Sequence, residues 1–237
     1  MNIILYICSL FKNPTNTYYD NPYSSDWRSD KEITVTNNIR KYMKSFLILL
    51  SLSLYIIQLF PISSLREFIS CLFCFIFSSR ILYQLHFFWN RRIPLTEIIL
   101  EAGFIVPLSL YTLAIGTKNT NLQLIDFFWI FLIFFGTYLN FYPEYQRYKW
   151  KLKMNGLYTK SLFKYARQIN YTGEIISFIG YAGLTGSYYN MWIPILMGLG
   201  MVYWSSPELE WYLERKYTSS FRRWKNFTPY KFIPYIY

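Results

Sequence analysis

The stretch FISCLFCFIFSSRILYQLHFFW, residues 68–89, decides the fold class of this chain. Arg80 is the only charged residue among its 22 positions. A helix of about 20 mostly apolar residues is long enough to cross the hydrocarbon core of a bilayer. The stretch therefore predicts a transmembrane helix, and the runs around it extend the prediction to the whole chain.

Other apolar runs are bounded by charged or turn residues, namely 45–60, 98–116 and 122–142. Two shorter runs, 175–189 and 191–204, are separated only by Asn190. We expect an all-α fold, a polytopic transmembrane helical bundle of about six spans. The last two spans are short, and the sequence allows either a tight pair or a re-entrant pair that the other helices shield from lipid.

Composition and charge agree with a multi-pass integral membrane protein. The chain is 53% hydrophobic and 16% charged, whereas soluble domains usually have about a quarter of their residues charged. Six crossings would place 21 of the 24 Lys and Arg residues on one side of the membrane, which predicts that this side is cytosolic. Both chain ends then lie in the cytosol, and a re-entrant last pair would leave the tail there too.

Residues 1–44 are expected to form a cytosolic N-terminal segment that is partly loose, and residues 45–237 the membrane-embedded domain. Residues 1–11 are apolar, but no basic residue precedes them, so we expect an interfacial helix or a degenerate first span rather than a signal peptide. Residues 12–44 are polar and read as the loose part of the segment.

Several function classes are disfavoured by residue content. His86 is the only histidine, which argues against a catalytic triad or a multi-histidine metal centre, and we expect no metal. Cys71 and Cys74 lie in an apolar run, where packing is favoured over redox chemistry. The net charge of +11 follows the predicted topology, so anionic lipid headgroups explain it better than nucleic acid does.

Glycines recur in the last two apolar runs. Gly180, Gly183 and Gly186 are spaced by three residues, and Gly198 and Gly200 follow in the next run. Small residues on one helix face let membrane helices approach closely. The spacing therefore predicts close packing of the pair of short helices.

Acidic residues within or beside apolar runs are costly and are functional candidates by default. Glu101 and Asp126 have no obvious partner in the sequence. Three polar clusters instead follow helical spacing at the predicted cytosolic boundary: Asn140, Glu144, Arg147 and Lys151; Arg167, Asn170 and Glu174; and Glu208 with Tyr212. Basic groups suit phosphates, and Asn and Glu suit ribose hydroxyls and amides. The alternative is a set of interfacial anchors and salt bridges.

These clusters carry a family resemblance. The segments NFYPEYQRYKWK (140–151), GLYTKSLFKYARQINYTGEIISFIGYA (156–182) and ELEWYLERKYTSSFRRWKNFTPYKFIPYIY (208–237) resemble the C-terminal domain of the steroid 5-alpha-reductase family. That superfamily includes uncharacterised membrane proteins and is distantly related to the isoprenylcysteine carboxyl methyltransferases. The similarity is clearest over 140–237 and weaker over 58–142.

The resemblance implies that residues 140–237 hold NADPH at the cytosolic side of the bundle. Asn140 and Glu144 match an Asn-x-x-x-acid element, and Lys151 stands where a phosphate-binding base is expected. A second element, Arg-x-x-Asn-Tyr-x-Gly-Glu, is matched by Arg167, Asn170, Tyr171, Gly173 and Glu174. The last element matches Glu208 and Tyr212, with Glu210 as the alternative to Glu208, and the closing FIP is residues 232–234.

Two departures concern the family's chemistry. Leu59 stands where the family has a glutamate that polarises an enone carbonyl, and Phe87 where it has a proton-donating tyrosine. Neither residue can exchange a proton, so no catalytic residue is assigned. Other side chains in or near the spans are available for that role: Tyr83, Tyr111, Tyr138, His86 and Glu101.

The resemblance implies an NADPH-dependent reductase of a lipid or steroid-like substrate, with hydride transfer to an activated C=C or C=O carbon. One alternative is a membrane methyltransferase using S-adenosylmethionine, against which the Gly173-Glu174 pair argues. The other is a catalytically inactive membrane protein that retains the cofactor fold, which Leu59 and Phe87 favour. In a eukaryote, the expected location is the endoplasmic reticulum membrane. The acceptor lipid and the oligomeric state stay open.

Overall fold

A computed structural model describes residues 31–88, 93, 95–118 and 120–236. The interfacial helix or degenerate first span predicted at residues 1–11 lies outside them, as do residues 12–30 of the segment predicted to be loose. The described residues form helices and connecting segments without a β-strand, which confirms the all-α helical bundle.

Seven helices organise the described part of the chain: α1 Lys31–Leu59, α2 Leu65–Tyr83, α3 Val106–Thr117, α4 Asp126–Lys151, α5 Ile169–Leu184, α6 Trp192–Gly200 and α7 Ser206–Phe227. Segments of π-helix extend α2 (Gln84–Phe88), precede α3 (Ile98–Ile105, after the helical turn Leu95–Glu97) and join α6 to α7 (Met201–Ser205). Short 3₁₀ turns cover Ser161–Lys164 and Tyr188–Met191. Because α1 begins at Lys31, residues 31–44 of the predicted loose segment are helical.

Three of these helical stretches are long and apolar enough to cross a membrane by themselves. They are Thr36–Leu59, Leu65–Phe88 and Ile98–Thr117, with mean hydropathies of 1.6, 1.6 and 2.0. They coincide with the first three predicted apolar runs. The first span begins before the run at 45–60, because Thr36 to Lys44 belong to the same helix.

Side-chain contacts show that the first four helical stretches run antiparallel in turn. At one end of the bundle, which we call the near end, Lys44 Nζ lies 2.9 Å from Glu101 Oε2. At the opposite or far end, Lys118 Nζ donates to the Gln58 carbonyl at 3.2 Å. Arg66 and Asp126 meet at the far end as well, and α4 runs from there toward Lys151.

The last two apolar runs cross back between these ends. Asn190, in the turn before α6, lies at the far end beside Gly116, and Gly198 of α6 contacts Ile175 of α5. At the near end, Gln168 Nε2 donates to the Ser206 carbonyl at 3.4 Å. The pair therefore forms a tight antiparallel hairpin, and its second arm continues through the π-helical turn into α7.

The closest helix contact lies between α4 and α5. A Cβ on Gly173 would lie 2.6 Å from the Gly136 carbonyl oxygen and would also clash with the Asn140 backbone nitrogen. Gly180 and Gly183 pack against Ile133 and Trp129 of α4 in the same way. The glycines of α5 therefore permit a close approach, but they face α4, whereas the sequence predicted the glycine-mediated contact between the two short helices.

Two large apolar cores hold the helices, and a small third cluster packs Leu85, Ile93 and Ile98 together. The larger one joins α1 to α6 and buries Leu59 and Cys74 among aromatic side chains, so Cys74 packs as predicted. The smaller core joins the end of α4, the 3₁₀ turn and α7, where Trp224 Nε1 donates to the Phe163 carbonyl at 3.1 Å. The second core fixes the C-terminal part of α7 beside the segment that leads into α5.

Candidate functional site

Asn140 lies at the centre of the polar groups at the near end. Its Oδ1 accepts a hydrogen bond from Gln84 Nε2 at 2.8 Å, and its Nδ2 donates to the Asn170 carbonyl at 3.0 Å. The Asn140 side chain reaches the Asn170 carbonyl because Gly136 and Gly173 let α4 and α5 approach closely one turn away. The amide thus joins α2, α4 and α5, and it unites two of the predicted clusters.

Glu174 continues this group along α5. Its Oε1 accepts from Arg80 Nη2 at 2.9 Å, and Arg80 is buried with its guanidinium 5.1 Å from the Phe77 ring centre. The Nε and Nη1 atoms of Arg80 are buried without a hydrogen-bond partner. The predicted carboxylate therefore pairs with a cation from the first half of the chain.

Sequence reasoning missed Arg80 and Gln84 as members of this site. A signal was present, because the two residues lie four positions apart in an apolar run and share one helix face. Polar residues inside a span usually turn toward the bundle interior. Their partners, however, lie 94 and 56 residues away in sequence, so helical spacing alone could not identify them.

Glu144 lies one turn beyond Asn140, just past the predicted span 122–142. It forms an ion pair with Arg147, and its Oε1 is buried without a partner. Burial raises the pKa of the Glu144 carboxyl, and the positive charges of Arg147 and Lys151 offset part of that rise. Lys151 itself is exposed at the end of α4.

Arg167 holds the C-terminal tail. Its Nε and Nη2 donate to Glu210 Oε1 at 3.1 and 2.5 Å, and its Nη1 donates to the carbonyls of Thr228 and Pro229 at 2.5 and 2.7 Å. We call this arrangement the Arg167 clamp. It gives Arg167 a structural role, and the acid that pairs with Arg167, just before α5, is Glu210 rather than Glu208.

The clamp also brings the closing segment onto the start of α5. The Gln168 backbone N–H donates to the Lys231 carbonyl at 2.7 Å, and Thr172 Oγ1 donates to the Phe232 carbonyl at 2.7 Å. The rings of Tyr171 and Phe232 are 6.3 Å apart. The matched elements at 167–174 and 232–234 are therefore neighbours in space.

Glu208 and Tyr212 lie on α7, two residues before and two residues after Glu210 of the clamp. Glu208 is exposed, and the Tyr212 hydroxyl accepts from Lys216 Nζ at 2.8 Å. Among the predicted site residues, the structure brings Asn140, Asn170 and Glu174 into one group and places Glu144 on the next turn. Lys151, Glu208 and Tyr212 lie on more accessible surfaces.

Comparison with known proteins identifies the family. Residues 98–228 match a family model described as "Protein of unknown function (DUF1295)". The chain belongs to this family. The family is linked to steroid 5-alpha-reductase-like proteins, and no curated protein matches the chain. All eight predicted site residues fall inside the matched range, whereas Arg80 and Gln84 precede it.

Unused hydrogen-bonding capacity is concentrated at the near end of this DUF1295 member. Buried atoms without a partner include Gln168 Oε1, Ser206 Oγ, Gln146 Oε1 and Glu144 Oε1, in addition to the two Arg80 nitrogens. Such atoms are usually satisfied in native proteins, by protein groups or by ligands and water. Within the described ranges, no group of His, Cys, Asp and Glu side chains could hold a metal ion.

The two departures from the reductase pattern lie at opposite ends of the bundle. Leu59 is fully buried at the far end of α1, and Phe87 is 54% exposed and stacks on Tyr83 at 4.6 Å. The other candidate acids have structural partners, since Glu101 pairs with Lys44 and Asp126 pairs with Arg66. His86 Nε2 lies 2.9 Å from Ser45 Oγ. None of these contacts assigns a proton donor.

Proposed function

We propose that this protein is an NADPH-dependent reductase of a lipid or steroid-like substrate. The observation that carries the proposal is the group formed by the buried Asn140 and the half-buried Asn170 and Glu174 at the near end, where further buried polar atoms have no hydrogen-bond partner. Amides and carboxylates at a membrane boundary suit the carboxamide and hydroxyl groups of a nicotinamide nucleotide.

The polar side chains at the near end suit that cofactor. Asn140, Asn170 and Glu174 would hold its amide and hydroxyl groups, Lys151 its phosphates, and Glu144, Glu208 and Tyr212 would border it, while the Arg167 clamp maintains the frame. When bound, NADPH supplies a hydride for an activated C=C or C=O carbon. The apolar helices around Glu174 exclude water, which limits side reactions of a reactive carbon.

The distribution of charge supports a cytosolic near end. Lys149, Lys151 and the basic residues of α7 lie there, whereas Arg66 and Lys118 lie at the far end. An excess of Lys and Arg marks cytoplasmic segments, and soluble NADPH would reach the site from that side. We further propose six membrane spans in total and, in a eukaryotic cell, a location in the endoplasmic reticulum membrane.

A second candidate is a catalytically inactive protein that binds NADPH without reducing a lipid. Leu59 and Phe87 favour it, because both positions lack the exchangeable protons that the related reductases use. No contact in the described residues favours the methyltransferase alternative. The two candidates share a cofactor site and differ only in turnover.

Ligand-induced stabilisation tests the cofactor. We expect NADPH to raise the Tm of the full-length protein in detergent, since a ligand at 100 times its Kd stabilises the native state by about 2.7 kcal/mol. S-adenosylmethionine should not do so. Asn170 is half-buried, and its hydrogen bond to Asn140 uses the backbone carbonyl. Asn170→Ala should therefore fold and lose the NADPH shift.

Cys71→Ala is the matched control and should keep the full shift, because Cys71 packs in the apolar core. An equal shift in both variants would reject the site, and stabilisation by S-adenosylmethionine alone would favour the methyltransferase. NADPH oxidation in the presence of membrane lipid extract then separates a reductase from an inactive binder.

A further inference from the structure

A pocket of about 80 Å³ lies at the far end of the bundle, away from the proposed cofactor site. It is formed by the starts of α2 and α4 and by the turn that follows α5. Its lining includes Arg66, Asp126, Trp129, Gly186 and Tyr188. The lining thus combines one cation, one anion and two aromatic rings around a small cavity.

The ion pair in this pocket is asymmetric. Arg66 Nε and Nη2 both donate to Asp126 Oδ2, at 3.0 and 2.5 Å. The Gln123 backbone N–H donates to the same oxygen at 2.6 Å. Asp126 Oδ1 is buried without a partner. A paired guanidinium and carboxylate commonly share two parallel hydrogen bonds that use both oxygens. One carboxylate oxygen is therefore left to accept from another donor.

Gly186 makes room for the cation. Its φ of +72° is a left-handed conformation that glycine adopts without strain. A Cβ at this position would lie 2.7 Å from Arg66 Nη1. The third guanidinium nitrogen therefore packs against bare backbone at the pocket wall, where a side chain would displace it.

We propose that this pocket binds the headgroup of a phosphatidylethanolamine-type lipid. The primary ammonium would donate to Asp126 Oδ1 and lie against the rings of Trp129 and Tyr188, and the phosphate would face Arg66. Cations bind to aromatic faces, and arginine matches phosphate oxygens. Since the Arg66–Asp126 pair carries no net charge, a zwitterionic headgroup complements it better than an anionic one.

The position of the pocket fits a lipid of the opposite leaflet. Tyr188 and Tyr189 are 85% and 92% exposed in the turn beside it, and tyrosines are enriched where membrane meets water. The proposed cofactor site lies at the near end of the bundle. This lipid site is thus independent of the proposed reductase activity.

Headgroup selectivity provides the test. The full-length protein in detergent is titrated with short-chain phosphatidylethanolamine, phosphatidylcholine and phosphatidylglycerol, and with free phosphoethanolamine, while Tm is followed. We expect saturable stabilisation by phosphatidylethanolamine at concentrations about tenfold below those of phosphatidylcholine, whose trimethylammonium cannot donate to Oδ1. Equal shifts with all three lipids, or no shift with phosphatidylethanolamine, would overturn the proposal. A shift with free phosphoethanolamine alone would overturn the lipid assignment.

Variants locate the binding. Asp126→Asn keeps an acceptor for Arg66 but removes the second carboxylate oxygen, and it should weaken phosphatidylethanolamine binding about tenfold. Tyr188→Ala removes an exposed ring from the pocket and should fold normally, so it decides the question if Asp126→Asn does not fold. Tyr189→Ala is the matched control outside the lining and should bind as the wild type. Unchanged binding in Tyr188→Ala would place the lipid elsewhere and reject this site.

Discussion

At the scale of single residues, Arg167 illustrates how a predicted ligand-binding side chain can be fully engaged within the protein. Three of its nitrogens contact Glu210 and two carbonyls of the tail. The planar guanidinium can serve all of these acceptors at once because its five donors point outward in a fixed fork. Its contribution to the site is therefore the position of α7 and of the tail relative to α5.

Arg167→Lys should lower the free energy of unfolding by about 3 kcal/mol, because an ammonium cannot replace the fork and Glu210 would be left half-buried with a poorer partner. Reversible denaturant unfolding in detergent micelles measures the change. Arg222→Lys is the control, since Arg222 is exposed and pairs with Glu214 at 3.3 Å; we expect a change within about 0.5 kcal/mol. A loss of similar size in both would contradict the clamp.

Residue spacing predicted part of the site. Asn170 and Glu174 lie one turn apart on the same helix, and the Asn140 side chain contacts the Asn170 carbonyl. The sequence placed these clusters at the same membrane boundary, and they meet there. Spacing could not predict that Glu210, rather than Glu208, meets Arg167, because both acids lie on the same turn of α7. The choice depends on how α7 is rotated against α5, which packing in the second core determines.

At the scale of helices, the contact between α4 and α5 is the one that the site depends on most. Gly136 and Gly173 let two backbones touch, and this contact places the Asn140 side chain beside the Asn170 carbonyl. Glycine spacing in the sequence predicted a close contact for α5. It did not identify α4 as the partner, since Gly136 is a single small residue in an aromatic run.

Gly173→Ala should destabilise the protein by about 1–3 kcal/mol or more, because the new Cβ would meet backbone atoms of α4 that cannot move aside. The hydrogen bond from Asn140 to the Asn170 carbonyl should lengthen as the helices separate, so the stabilisation by NADPH should weaken as well. Gly200→Ala is the matched control, since nothing lies within 4 Å of its Cβ position. It should be neutral or slightly stabilising, by up to about 1 kcal/mol. Thermal unfolding of both variants gives the comparison, and a stable Gly173→Ala protein would contradict the packing.

At the scale of the whole molecule, buried ion pairs connect the first half of the chain to the second. Arg66 of α2 pairs with Asp126 of α4, and Arg80 of α2 pairs with Glu174 of α5. Apolar runs predicted the helices, because burial in lipid requires them. They could not predict these pairs, because each helix supplies one charge and the match appears only when the helices are packed.

The pair between Arg80 and Glu174 should show strong energetic coupling. Arg80→Met leaves Glu174 without its cation, and Glu174→Gln leaves a buried guanidinium without its anion, so each single change should cost about 3–5 kcal/mol. The double variant removes both charges and should cost less than the sum of the two, with a coupling energy of about 1–3 kcal/mol. The exposed pair Arg222–Glu214 provides the reference cycle, where we expect a coupling below about 1 kcal/mol. Unfolding free energies of the seven proteins, the wild type being common to both cycles, are measured in one detergent. Additive losses at Arg80 and Glu174 would mean that the two halves of the chain are not joined through this pair.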